Sequence, residues 1–171
     1  NLLYSAQFEL DRPLAIRYPR GYSQIMKPKT DFEKINWGKG CILKEGNRFA
    51  ILSVGTMAKT ISEAFLGLER ADVFAHFDMG FIKPLDEKLL HEIFRNFERL
   101  LIFEEGTIQG GAGSAVLEFA AKHHYTIPVD LQGIPDRFIS HGNPQKLLQK
   151  LELDVLGVRK KLNLIANKNG Y

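Results

Sequence analysis

Ala50-Ile51-Leu52-Ser53-Val54-Gly55-Thr56 is the stretch on which the fold turns. An almost unbroken apolar run of strand length, stopped by a glycine, reads as a strand covered on both faces. Thr56 then stands as N-cap to a helix in which Ile61, Ala64, Phe65 and Leu68 recur at three- and four-residue spacing. The same unit repeats downstream. Val73 to Phe77 reads as a strand ending at Asp78, and Pro84-Leu85-Asp86 opens a helix with Leu89, Leu90, Ile93, Phe94 and Phe97 on one face. Leu100 to Phe103 is a further strand, ending at Glu104-Glu105-Gly106. Gly110-Gly111-Ala112-Gly113 precedes a helix from Ser114 to about His123, and Ile127 to Leu131 is the last strand. Asn143-Pro144 and Asp154 carry the capping and first-turn chemistry of two closing helices.

Strands alternating with helices predict an α/β fold: a mostly parallel sheet of about five strands between two helical layers. Upstream, Gly38 to Leu43, a turn at Glu45-Gly46-Asn47 and Phe49 to Val54 read as a hairpin, which adds one antiparallel edge strand. The domain this defines runs over 37–166, and Asn167 to Tyr171 is a polar terminus expected to fray. Before it, Leu14 to Tyr18 reads as a short strand stopped by Pro19 and Gly21. Residues 22–36 mix Pro, Lys, Thr and Asp without periodicity and read as a linker. Residues 1–21 are then the tail of a preceding domain, and the chain, beginning inside a helical pattern, is a piece of something longer.

Composition sets the outer bounds. With 171 residues, 44% hydrophobic and 25% charged, the chain can bury one sizeable core but is short for two complete domains. That apolar content excludes disorder as the main state, and 15 Gly with 7 Pro exclude collagen-like repeats. The net charge is only +3, and the longest basic run, Arg159-Lys160-Lys161, reads as a solvated helix face rather than a nucleic-acid patch. No apolar run approaches membrane-spanning length, and no leader of the secretory type is visible. The single cysteine, Cys41, fits a reducing compartment and reads as a buried packing residue rather than a nucleophile.

Ligands of open α/β sheets bind beyond the carboxyl ends of the strands. Those ends carry Gly55-Thr56, Asp78-Met79-Gly80, Glu104-Glu105-Gly106 and Gly133-Ile134-Pro135-Asp136. Adjacent on a strand, Glu104 and Glu105 point to opposite faces, which favours capping or interface roles over paired acid/base work. Gly110-Gly111-Ala112-Gly113-Ser114 is open to two readings: a nest of backbone N–H groups for an anion, or glycines that let a helix start pack tightly. It lacks the lysine of a P-loop and the spacing of a dinucleotide fingerprint. His76, His91, His123, His124 and His141 have no metal-ligand spacing, so no metal site is expected. In Arg17-Tyr18-Pro19-Arg20-Gly21 two guanidinium forks flank a rigid corner, suited to phosphate oxygens.

Ala15-Ile16-Arg17-Tyr18-Pro19-Arg20-Gly21, Gly38-Lys39-Gly40 and Asp78-Met79-Gly80-Phe81-Ile82-Lys83-Pro84-Leu85-Asp86 form a series. Glu104-Glu105-Gly106 with Gly110 to Ser114, and Gly133-Ile134-Pro135-Asp136-Arg137-Phe138-Ile139, continue it in order. The series resembles the C-terminal portion of the 1-deoxy-D-xylulose-5-phosphate synthases of the transketolase superfamily, from the first residues to about residue 162. The resemblance implies a transketolase C-terminal-type domain at 37–166, with 1–21 closing the pyrimidine-binding domain before it. It implies a cytoplasmic homodimeric enzyme, with no nucleic-acid or membrane partner. Such an enzyme uses thiamine diphosphate and Mg²⁺ to condense pyruvate with D-glyceraldehyde 3-phosphate, releasing CO2. The product feeds isoprenoid, thiamine and pyridoxal synthesis. In that family the first arginine of the Arg-Tyr-Pro-Arg-Gly string binds the acceptor's phosphate, which corresponds to Arg17, with Arg20 a lesser candidate. The residues that hold cofactor and metal, and the catalytic histidines, belong to domains upstream. No catalytic, cofactor or metal residue is therefore expected on this segment, which alone would be inactive and serve assembly. The alternatives are the C-terminal domain of a transketolase or of an oxo-acid dehydrogenase β subunit, or a non-catalytic interaction module.

Overall fold

A computed structural model describes residues 1–8, 13–19 and 31–168. The chain divides into two compact units, Asn1–Trp37 and Gly38–Tyr171. In the first, α1 (Leu2–Ser5) is a single turn. Its buried Ser5 hydroxyl accepts from the Ile35 N–H at 2.9 Å, and Tyr4 packs its ring against Phe8 and Phe32, at 4.9 and 5.9 Å between centroids. The strand expected at Leu14 to Tyr18 does not form; residues 13–19 have no regular structure. A strand satisfies its N–H and C=O groups only against a neighbour, and no strand of the described residues lies in this unit. The expected linker at 22–36 falls mostly on residues that are not described.

The second unit holds a five-stranded sheet in the order β1-β3-β2-β4-β5: β1 (Cys41–Lys44), β2 (Phe49–Val54), β3 (Phe74–Asp78), β4 (Arg99–Thr107) and β5 (Val129–Ile134). All neighbours are parallel except β1, which runs antiparallel to β3. The helices are α2 (Met57–Phe65), α3 (Glu87–Asn96), α4 (Ala112–Lys122), α5 (Pro144–Lys150) and α6 (Val155–Lys168). On one face Ile51, Phe74, Leu101 and Phe103 meet Met57 and Ile61 of α2 with Val158 and Leu162 of α6. On the other, Leu52, Phe77, Leu100 and Ile102 meet Leu90 and Ile93 of α3 with Val116 and Phe119 of α4. The fold is three-layered, with two apolar cores separated by the sheet.

Three expectations need correcting. The hairpin is absent, because β1 pairs with β3 and not with β2. Phe49 to Leu52 are fully buried, and both edges of β2 are taken by parallel partners, so the chain must step over β3 before entering the centre. It does so at Gly46, where a Cβ would run into the backbone of Phe74 and Ala75. The Lys44 ammonium then ties the step down, donating to the carbonyls of Ala71, Phe74 and Glu45 at 2.6, 2.9 and 3.0 Å. Cys41 is exposed rather than buried, since an edge strand paired on one side presents its residues to solvent. At the other end, α6 continues to Lys168, so Asn167 is helical rather than frayed.

Two sequence motifs far apart in the chain converge on Asp86. Its carboxylate caps α3 by accepting from the Leu89 N–H at 3.2 Å, and also accepts from the Gly40 N–H and the Lys39 ammonium, each at 3.2 Å. Burial pushes the carboxyl up, but these donors outweigh it and hold its pKa below the ordinary value. Close approach requires glycine here: at Gly40 a Cβ would sit 2.7 Å from the Asp78 carbonyl and from a Leu89 methyl. The segment 38–40 and the stretch 78–86 are thus one structural unit, which seats the edge strand beside the carboxyl end of β3.

Candidate functional site

At the carboxyl end of β4 the chain builds its own anion site and fills it. Glu104 is buried, 5% exposed, and its carboxylate accepts from the Ala112 and Gly113 N–H groups at 2.9 and 3.0 Å. Those are the first two donors of α4, which helix geometry leaves without intrahelical partners. The neighbouring Gly110 N–H donates to Ser114 Oγ, and that hydroxyl donates to the Ile108 carbonyl, both at 2.9 Å. Glycines make the seat possible. A Cβ at Gly106 or Gly111 would lie 2.6 or 2.5 Å from Glu104 Oε2, and at Gly113 and Gly133 it would lie 3.1 Å from other atoms of the same side chain. Both readings of the glycine-rich turn therefore hold together: it is an anion nest, and the anion is the chain's own. Glu104 has the capping role expected of it. The first two N–H donors of the α4 N-terminus are thus taken by a side chain of the same chain.

A second polar cluster sits at the ends of β2 and β3. Ser53 Oγ lies 3.1 Å from both the Phe77 carbonyl and Asp78 Oδ1, which can only accept, and 3.0 Å from His76 Nε2. The hydroxyl therefore donates to one of those oxygens and accepts from the ring, which makes His76 the Nε2–H tautomer. The imidazole is fully buried, its Nδ1 has no hydrogen-bond partner, and Phe65 stands 5.9 Å away between ring centroids. Burial first, and the nearby Lys44 charge second, push its pKa down to about 4. Burial raises the Asp78 carboxyl against the lowering effect of the Ser53 bond. Cys41 pairs across the ladder with Asp78, and desolvation together with that carboxylate raises the thiol above its usual range. That is the opposite of what a nucleophile needs. The cluster orders the strand ends; sequence reasoning missed it because Ser53, His76 and Asp78 meet only through strand register.

The other expected residues are scattered. Arg17 is exposed in the first unit, and Arg20 lies outside the described residues. His91 and His123 stack edge to face at 4.6 Å, and His91 Nδ1 is 2.8 Å from the Tyr125 hydroxyl, an aromatic seam between α3 and the end of α4. Among the described residues no three His, Cys, Asp or Glu side chains converge as metal ligands, and no helix is long and apolar enough to cross a membrane. The basic run is engaged within the chain: Arg159 donates to the Ala64 carbonyl, Lys160 pairs with Glu152 and Lys161 with Asp130.

Residues 38–158 match the family described as transketolase, C-terminal domain. The chain belongs to that family. Over 163 residues the chain is 43% identical to the 1-deoxy-D-xylulose-5-phosphate synthase of Bacteroides thetaiotaomicron, covering 94% of this chain and 25% of the relative. The enzyme of the same name from Cytophaga hutchinsonii is 42% identical over 156 residues, covering 90% and 24%. The chain thus spans about a quarter of the length of the curated relatives it matches. Among solved structures, a split-gene transketolase described as an inactive β4 tetramer superposes with a TM-score of 0.67 at 34% identity, covering 78% of this chain and 44% of that one. The Campylobacter jejuni transketolase, at 15% identity and a TM-score of 0.50, shares the fold. Within this transketolase C-terminal domain, Gly40, Asp86, Glu104 and the glycines at 106, 111, 113 and 133 build the cap of α3 and the seat of Glu104.

Two outcomes are expected. Glu104→Gln turns one acceptor oxygen into an N–H facing the α4 donors, and should destabilise the chain by about 1–3 kcal/mol in urea unfolding; an unchanged midpoint would mean the seat contributes nothing. Because the folded pKa of His76 lies below its unfolded value, its neutral form stabilises the fold fully above pH 6.5. That contribution is lost as pH falls towards about 4, on the order of 3 kcal/mol in all. Asp78, with a raised pKa, acts in the opposite sense at the acid end. The His76 share is therefore the difference in pH slope between the native chain and His76→Asn, and equal slopes would remove it.

Proposed function

We propose that this chain is the C-terminal part of a 1-deoxy-D-xylulose-5-phosphate synthase. The observation that carries the reading is 43% identity over 94% of the chain, which reaches beyond the shared domain into the first 37 residues. The full-length protein condenses pyruvate with D-glyceraldehyde 3-phosphate to 1-deoxy-D-xylulose 5-phosphate and CO2, as a cytoplasmic homodimer. Thiamine diphosphate supplies an electron sink for decarboxylation and, with Mg²⁺, is held by the portion of the protein outside this segment. The filled α4 N-terminus supports that division of labour. Residues 1–21 close the preceding pyrimidine-binding domain, and 37–166 act in assembly. Within this segment Arg17 binds the acceptor's phosphate and Arg20 assists, their planar forks matching phosphate oxygens. Alone, the segment turns nothing over.

A second reading, a transketolase, is favoured by the 34% identity to the split-gene structure. CO2 release from pyruvate by the full-length polypeptide, with cofactor and Mg²⁺, separates the two. Release that rises with glyceraldehyde 3-phosphate and yields a phosphorylated ketose is the expected result; transfer from a ketose phosphate donor without pyruvate turnover would make it a transketolase. In the same assay Arg17→Ala should weaken the aldehyde phosphate by about 2–3 kcal/mol, read in its KM. An unchanged acceptor KM would remove Arg17 from the site.

A further inference from the structure

Phe138 stands fully in solvent, with 106% relative exposure, at the tip of the loop that follows β5. The loop itself is held in place. The Arg137 N–H closes a tight turn onto the Pro135 carbonyl at 2.7 Å, and the Ile108 N–H bonds the Ile134 carbonyl at 2.9 Å, tying the loop's base to the end of β4. The turn at 135–137 is followed by a bare aromatic ring, with the exposed Arg137 beside it in sequence. Beyond β3, at the same carboxyl end of the sheet, Ile82 is also 45% exposed. Phe138 is the most exposed of the large hydrophobic side chains among the described residues. Aromatic residues and arginine are the side chains that interfaces concentrate as anchors.

We propose that the 135–139 loop is a docking anchor, and that Phe138 inserts into an apolar pocket in the part of its own polypeptide that lies outside residues 1–171. The occupant follows from length: relatives that match nearly all of this chain are about four times as long, so most of such a protein is available to cover this end of the sheet. The inference rests on reading the chain as the C-terminal part of a longer synthase, and deepens the assembly role by naming its contact. Phe138 lies in the Gly-Ile-Pro-Asp-Arg-Phe-Ile motif, of which Gly133 packs against Glu104 and Ile134 against the core, while Phe138 itself is turned out to solvent.

The test uses the full-length protein carrying the photo-crosslinking residue p-benzoylphenylalanine in place of Phe138, with the same probe at Ile42 and at Leu156 in parallel, two other exposed apolar positions. Expected is an intramolecular crosslink from position 138, at unchanged subunit mass, to a peptide upstream of this segment, with loss of the free tryptic peptide containing residue 138. No crosslink from 138, one confined to residues 1–171, or one that doubles the subunit mass would overturn the proposal. Should 42 or 156 reach upstream peptides while 138 does not, the assembly role stands and the Phe138 assignment falls. Silence at all three positions would remove both.

Discussion

The carboxylate of Glu104 against the first turn of α4 is the contact around which the carboxyl end of the sheet is organised. A buried carboxylate needs donors, and a helix start has donors to spare; each solves the other's problem. The solution constrains four separate glycines, because two helix residues, a strand residue of β4 and one of β5 must all come within van der Waals reach of the same side chain. Sequence blocks that read as a possible ligand site are instead the walls of an internal one.

Asp86 repeats the device on the other side of the sheet's axis, with a different purpose. Its carboxylate joins the start of α3 to the segment entering the edge strand, so that capping a helix and placing β1 are one event. Lys44 then fixes the crossing over β3 by three carbonyl bonds. The antiparallel edge is therefore held by polar contacts with the parallel core rather than by a local turn.

At the carboxyl end of the sheet Glu104 takes the first two donors of α4, and Ser53 joins His76 to Asp78. Arg17 belongs to the first unit, outside the α/β unit.

Much of this was legible in the residues. The apolar run Ala50 to Val54, the helical spacing of Leu89, Leu90, Ile93 and Phe94, and the caps at Asp86, Asn143 and Asp154 define strand and helix by local rules, and the layers follow. Strand order did not follow. Nothing near Glu45-Gly46-Asn47 says that β3 will come between β1 and β2, since that depends on which strand can take a parallel partner on both edges. Likewise the sequence showed an anion nest and a pair of glutamates, while only the tertiary structure brought Glu104 to Ala112 and Gly113. Local periodicity is written in neighbouring side chains; the pairing of a buried charge with its donors is decided by a register that spans the whole sheet.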